Sequence, residues 1–115
     1  MQKNTFGTRG EIIASNFLQR KGYKIVARNY RNKIGEIDII ALDGETWVFV
    51  EVKTRTSSAF GDALEAINYK KQEKIRKTAT LFLMNNNLME KPFRFDAIAI
   101  IGAENEDIRH IENAF

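Results

Sequence analysis

The chain contains no cysteine. It can therefore build neither a disulfide nor a thiolate metal site, and its redox compartment stays open. It has a single histidine, His110, which excludes a multi-histidine zinc centre. Any metal it holds must sit among oxygen ligands, the chemistry of magnesium, manganese or calcium. No stretch approaches the roughly 20 apolar residues a membrane-spanning helix requires, so no membrane partner is expected. The N-terminal MQKNTFGTRGE lacks the apolar core of a signal peptide, which makes the cytoplasm the expected location. Repeats, linkers and low-complexity tracts are also missing.

What is present is one domain's worth of chain. At 115 residues residues 1–115 form a single expected domain, able to bury about two-thirds of its unfolded surface. The net charge of +3 permits a polyanionic partner without demonstrating one.

Residues 8–21 read as an amphipathic helix with Ile13, Ala14, Phe17 and Leu18 on its apolar stripe. Thr8 and Glu11 have the spacing of a capping box, and Gly22 follows as a stop. Residues 23–30 read as a strand, 36–42 and 45–53 as a hairpin, and 54–62 as a polar surface connection. A helical region is expected from about Ala63 to Asn86, with Asn68 as a cap of its main segment. Residues 93–101 read as a strand and 107–115 as a weak final strand or tail. The order αβββαβ, with a late extra strand, indicates an α/β domain around a mixed sheet.

The hairpin carries the chemistry. EIDIIAL and TWVFVEVK flank Asp43-Gly44, a strong turn signal between β-branched and aromatic runs. With Asp43 and Gly44 as the loop, Leu42 faces Glu45 and Asp38 faces Phe49. Asp38, Phe49, Glu51 and Lys53 then share one face, with Glu51 diagonal to Asp38 at roughly 7–8 Å. Charges in otherwise apolar strands are costly unless something pairs with them. Two carboxylates so placed can share a hard divalent cation. The ordinary alternative is an ion pair of Glu51 with Lys53 on a solvated strand face.

Asp38 followed by Glu51-Val52-Lys53 on the next strand resembles the PD-(D/E)XK nuclease superfamily. The wider blocks GTRGE, GEIDIIA, FVEVKTR, FGDALEAI, KKQEKIRKTA, RFDAIAI and the terminal NAF cover nearly the whole chain. Together they resemble the YraN family, small bacterial proteins regarded as distant relatives of Holliday junction resolvases. The resemblance implies a restriction-endonuclease-like αβββαβ core, a central mixed sheet flanked by helices.

It further implies that Asp38 and Glu51 hold Mg²⁺ or Mn²⁺, with the Val52 carbonyl as a further ligand. Lys53 would orient or deprotonate the attacking water, provided its pKa is lowered. Glu11 matches a helix-1 acid close to the metal in related resolvases, unless it only completes the cap with Thr8. Lys71 and Gln72 match positions that complete the site in related nucleases. The alternative for Gln72 is a boundary residue bonded to backbone. Glu36 shares the Asp38 strand face as an outer group or as a merely solvated one.

Arg55 directly follows the strand and could grip a phosphate bidentately. Lys70, Lys74 and Lys77, with Arg76, could track a nucleic-acid backbone, although such a face is ordinarily just solvated. Phe60 and Gly61 could cover the site. Asp96 reads as structural, paired with Arg94 or Arg28. His110 reads as a surface residue, and Trp47 as core. The expected function is a divalent-metal-dependent endonuclease acting on DNA, branched or junction DNA included. The other reading is a non-catalytic nucleic-acid-binding or partner-recruiting module that retains the fold. By analogy with two-fold resolvases, a homodimer is an expected assembly.

Overall fold

Alternation along two central strands decides how this molecule is layered. In β2 (Glu36–Asp43) and β3 (Thr46–Arg55), Ile39, Ala41, Val48 and Val50 enter one buried cluster, while Ile40 and Phe49 enter another. A period of two sends successive side chains to opposite faces, so both faces of the sheet are covered. One cover is α1 (Phe6–Arg20), which contributes Ala14 and Leu18. The other is α2 (Tyr69–Asn85), which contributes Ile75, Ala79, Phe82 and Leu83. Fully burying one such Leu or Phe is worth about 1.5–3 kcal/mol. Trp47 packs against the α2 cluster, with its ring 5.6 Å from that of Phe82, as the sequence indicates.

The structure, a computed structural model, describes residues 6–55, 66–102 and 107–115, and for residues 6–8 the backbone alone. Phe60 and Gly61 lie outside these residues, as does Ala63 at the expected helix start. The remaining strands are β1 (Lys24–Arg31), β4 (Phe93–Ile101) and β5 (Asp107–Ile111). Strand order follows chain order, β1-β2-β3-β4-β5. Only β3–β4 is parallel among the pairings of this sheet, since the crossover containing α2 separates those two strands. The result is an α/β fold with a mixed sheet between two helices, consistent with a restriction-endonuclease-like core. No described helix is long and apolar enough to cross a membrane.

Helix ends follow local chemistry. Asn68 caps α2 by accepting from the Lys71 N–H, as its position before the helix suggests. The α1 helix closes at Gly22 with bonds from Gly22 N to the Gln19 carbonyl and from Tyr23 N to the Leu18 carbonyl. Its start differs from expectation. The helix already begins at Phe6, so Thr8 lies inside the first turns and is not the cap.

The hairpin register is also corrected. Asp43 pairs with Thr46 and Ile40 with Phe49, so the two loop residues are Gly44 and Glu45, not Asp43 and Gly44. Gly44 takes φ +63° while Glu45 keeps a negative φ. This is the pattern of a two-residue turn with glycine at its first central position. The slip is two residues, an even number. It therefore moves Asp38 along the ladder without turning it to the other face.

Asp96 has no solvent exposure and is fully supplied with donors. It accepts from Arg94 Nε at 3.0 Å and from the Asn113 N–H at 3.1 Å. His110 Nε2 stands 2.7 Å from its second oxygen. The pairing with Arg94 is the structural role expected of Asp96. His110, expected at the surface, is instead 98 % buried as a side chain. Register explains the difference, because β5 lays His110 beside Ile98 of β4, within reach of Asp96.

Candidate active site

The β2–β3 ladder ends at the pair Ile39–Val50, and the site lies just beyond that end. One step further along each strand come Asp38 and Glu51, level with each other rather than diagonal. Where the strands part, Asp38 Oδ2 accepts the Val52 N–H at 2.8 Å. The side chain thus takes a donor that no backbone carbonyl of β2 is taking in the ladder. Val52 enters the site through this N–H.

Glu51 is only 5 % exposed, and two ammonium groups meet its Oε2. Lys71 Nζ from α2 is 2.7 Å away, and Lys53 Nζ from β3 itself is 3.5 Å away. Lys53 shares the Glu51 face because it lies two residues on. Lys71 reaches the site because the Asn68 cap fixes the first turn of α2 directly over it.

Glu11 arrives from the opposite layer. Gly10, beside it, is buried against β3, and a Cβ there would run into Thr54 Cγ2, with Val52 Cγ1 close behind. The missing side chain lets α1 sit down on the strand. Glu11 then lies beside Asn29 and Asp38. The cap with Thr8 gives way to a place in the acid cluster.

The electrostatics separate these groups. Burial and then the Glu51 charge push the Asp38 carboxyl up to about 7, against the opposing Val52 N–H. Burial likewise raises Glu11, against the opposing pull of its neighbours Asn29 and Asp38. The two lysines diverge. Burial and then the contact with Lys71 lower Lys53. Burial also pulls on Lys71, but its bond to Glu51 and the surrounding negative charge outweigh it, and its pKa rises.

Asp38 and Glu51 open into a groove of about 610 Å³ between the β1–β2 loop and the start of α2. Lys70, Lys71 and Lys74 line it from α2, Arg31 from the end of β1 and Lys33 from the loop after it. The loop is bolted in place. Asn32 Oδ1 accepts from the Ile34 N–H, while its Nδ2 donates to the Thr78 carbonyl at 3.1 Å. Arg31 and Lys33 escape a reading of the sequence because only the fold turns this stretch toward α2. The one sequence cue is a short basic loop, RNKIG, immediately before the acidic strand.

Other candidates lie elsewhere. The Gln72 carboxamide donates to the Ile67 carbonyl, so its nitrogen serves the backbone ahead of α2. Arg55 folds back on the Thr54 carbonyl at 2.8 Å and does not line the groove. Glu36 pairs with Arg31 at 2.9 Å in the open, at the groove rim.

Among the described residues, no three Asp, Glu or His side chains are gathered tightly enough to cage a metal ion. The donor set nevertheless suits a hard cation. Magnesium is commonly held by one or two carboxylates, its remaining positions filled by water and substrate phosphate. Asp38 and Glu51 in an open groove meet that description, with Glu11 in reserve.

The chain was compared with known proteins. Residues 10–100 match the profile of the uncharacterised protein family UPF0102. A UPF0102 protein of Alkaliphilus oremlandii is 49 % identical over 112 residues, 95 % of this chain and 96 % of that protein. One from Caldanaerobacter subterraneus is 46 % identical, covering 100 % of this chain and 98 % of its own length. One from Clostridioides difficile is 45 % identical over the full length of both. With a profile match over most of its length and relatives aligned end to end, the chain belongs to the UPF0102 family, the YraN-like group its sequence blocks resemble.

Proposed function

We propose that this protein is a divalent-metal-dependent endonuclease that hydrolyses phosphodiester bonds in DNA, with branched or junction DNA as the substrate class. The observation that carries the reading is buried Glu51 beside half-buried Asp38, opening into a groove walled by five cationic side chains. Cations along the walls attract a phosphate backbone, and acids at the inner end have no use for it unless something neutralises them.

Asp38 and Glu51, with Glu11 and the Val52 carbonyl as further oxygens, would hold Mg²⁺ or Mn²⁺. When bound, that ion supplies charge neutralisation at the scissile phosphate and a water acidic enough to attack. The lysines divide the remaining work. Lys53, with its lowered pKa, has a share of neutral amine available to take a proton from the attacking water. Lys71, with its raised pKa, stays cationic and steadies both Glu51 and the charge that builds on the phosphate. Two like groups with pKa values pushed apart mark an acid–base division of labour. Lys70, Lys74, Arg31 and Lys33 position the backbone.

A specific observation favours a second reading. Glu51 Oε2 is already met by both lysines, so the groove could bind nucleic acid with its acids neutralised from within and cut nothing. The deciding experiment incubates purified protein and Mn²⁺ or Mg²⁺ with four-way junctions, flaps, single strands and RNA. Cleavage of branched DNA, lost in Glu51→Gln and Lys53→Ala while binding persists, is the expected result. Tight binding with every substrate uncut would instead establish the non-catalytic module.

A further inference from the structure

The acid cluster is open on two faces of the sheet, and the groove beside α2 accounts for only one. On the α1 face, a cleft of about 440 Å³ is lined by Glu11, Ile12, Arg28 and Asn29. A second, of about 380 Å³, is lined by Ser15, Asn16 and Gln19 of α1 and by residues 25–28 of β1. Arg28 lines both, so the two form one path leading away from Glu11. Glu11 itself lies beside Asp38, which lines the groove on the other face.

Three features of this path point to an anionic ligand. The Arg28 side chain is exposed, and no described residue bonds or pairs with its guanidinium. Its walls mix apolar residues with the hydrogen-bonding side chains of Ser15, Asn16, Gln19 and Asn29. Ser15 is 96 % buried, and its hydroxyl is the one buried side-chain polar atom among the described residues with no hydrogen-bond partner. Such an orphan is costly unless a partner arrives. The edge strand is also reshaped here. Its pairing with β2 slips between Ile25 and Ala27, and Asn29 takes a left-handed φ of +55°. Irregularities of this kind re-aim side chains at a sheet edge.

We propose that the α1–β1 cleft is a second phosphate subsite, in which Arg28 grips a backbone phosphate of the nucleic-acid strand beyond the acid centre, with Asn16, Gln19 and Ser15 as hydrogen-bonding partners. The assignment rests on the nucleic-acid reading of the acid centre. It adds that bound strand contacts both faces of the sheet and turns around the β1 edge between them. A guanidinium suits the task because its fork matches two phosphate oxygens. A strand short enough to occupy the α2 groove alone would not feel Arg28, whereas a longer strand would.

The test measures binding without metal, so that it is independent of cleavage. Labelled single strands, short and long, are titrated in EDTA against Glu51→Gln protein with and without Arg28→Gln or Arg28→Lys. Losing one phosphate contact to a single strand lowers the slope of log affinity against log salt by about 0.7, or about fivefold in affinity at 0.1 M salt. The expected result is that loss for long strands only, with the slope restored by Arg28→Lys and the melting temperature unchanged. An identical slope for Arg28→Gln on long strands, or an equal loss on short ones, overturns the subsite. Inorganic phosphate that weakens long-strand binding equally with and without Arg28 also overturns it. If Arg28→Gln behaves as expected and the wild type with Mg²⁺ or Mn²⁺ cuts no substrate, the nuclease reading alone falls. If wild type cuts and the Arg28 slope is unchanged, the subsite alone falls.

Discussion

Two aspartates, one buried and one half-buried, divide this molecule. Asp96 is sealed from solvent and receives Arg94, His110 and the Asn113 N–H. Although burial raises its pKa, these donors win and hold it below the usual carboxylate range. Asp38 receives one backbone N–H and faces Glu51 and Glu11, so burial and like charge push it up to about 7. One acid is surrounded by what it needs, and the other by what it repels. Folding explains the first and leaves the second unexplained. An aspartate crowded by two other acids at the end of a cationic groove is where a ligand is missing from the account.

The comparison can be broken first at catalysis. Glu51→Gln and Lys53→Ala should each lower cleavage of branched DNA by about 10²–10⁴-fold, read from initial rates with Mn²⁺, whereas no such loss without unfolding is available at Asp96. Next comes stability. Asp96→Ala takes the carboxylate from the buried His110 side chain and leaves Arg94 only its outer acidic partners Asp43 and Glu112, and should cost about 3 kcal/mol in urea unfolding. Asp38→Asn keeps an acceptor for the Val52 N–H and removes a repelled charge, so at pH 8 without metal it should stabilise by about 2 kcal/mol. A loss at Asp38 comparable to that at Asp96 would erase the distinction.

Ligand linkage is of the same order as the Asp38 effect. Mn²⁺ at a hundredfold excess over its dissociation constant should add about 2.7 kcal/mol to the wild type, and nothing in Asp38→Asn or Glu51→Gln. Calorimetric unfolding with and without the ion checks it.

The subtlest contrast is pH, measured in EDTA. Asp38 is raised from 3.8 to about 7, so the unfolded chain loses its proton first and stability falls as pH climbs between those values. Asp96 is lowered, so its contribution is present above the ordinary carboxylate range and is lost as pH falls below it. Asp38→Asn should flatten the first limb and Asp96→Asn the second.

Much of this was legible in the sequence, for identifiable reasons. Alternation in EIDIIAL and TWVFVEVK encodes both strands and both faces. The register error left the site intact because a slip of two preserves parity. The choice between Asp-Gly and Gly-Glu as loop was settled by the one position in the turn that takes a positive φ, which Gly44 fills. Asn68 announced α2, but helical periodicity could not say whether Lys71 or Gln72 would reach Glu51. That depends on how the first turn seats over β3. Arg28, Arg31 and Lys33 were opaque, since a basic residue on an edge strand or loop gains meaning only from what folds opposite it. His110 was opaque for the same reason, as its partner is 14 positions away.

Gly10 deserves a final consequence. It sits where α1 meets Thr54, and its bare backbone works as a shim gauge whose thickness sets how far Glu11 leans toward Asp38. Adding one methyl there would force the helix and Thr54 apart by about an ångström, with every charge of the centre left in place. The acid cluster would be detuned by spacing alone, from a residue with no functional group to lose.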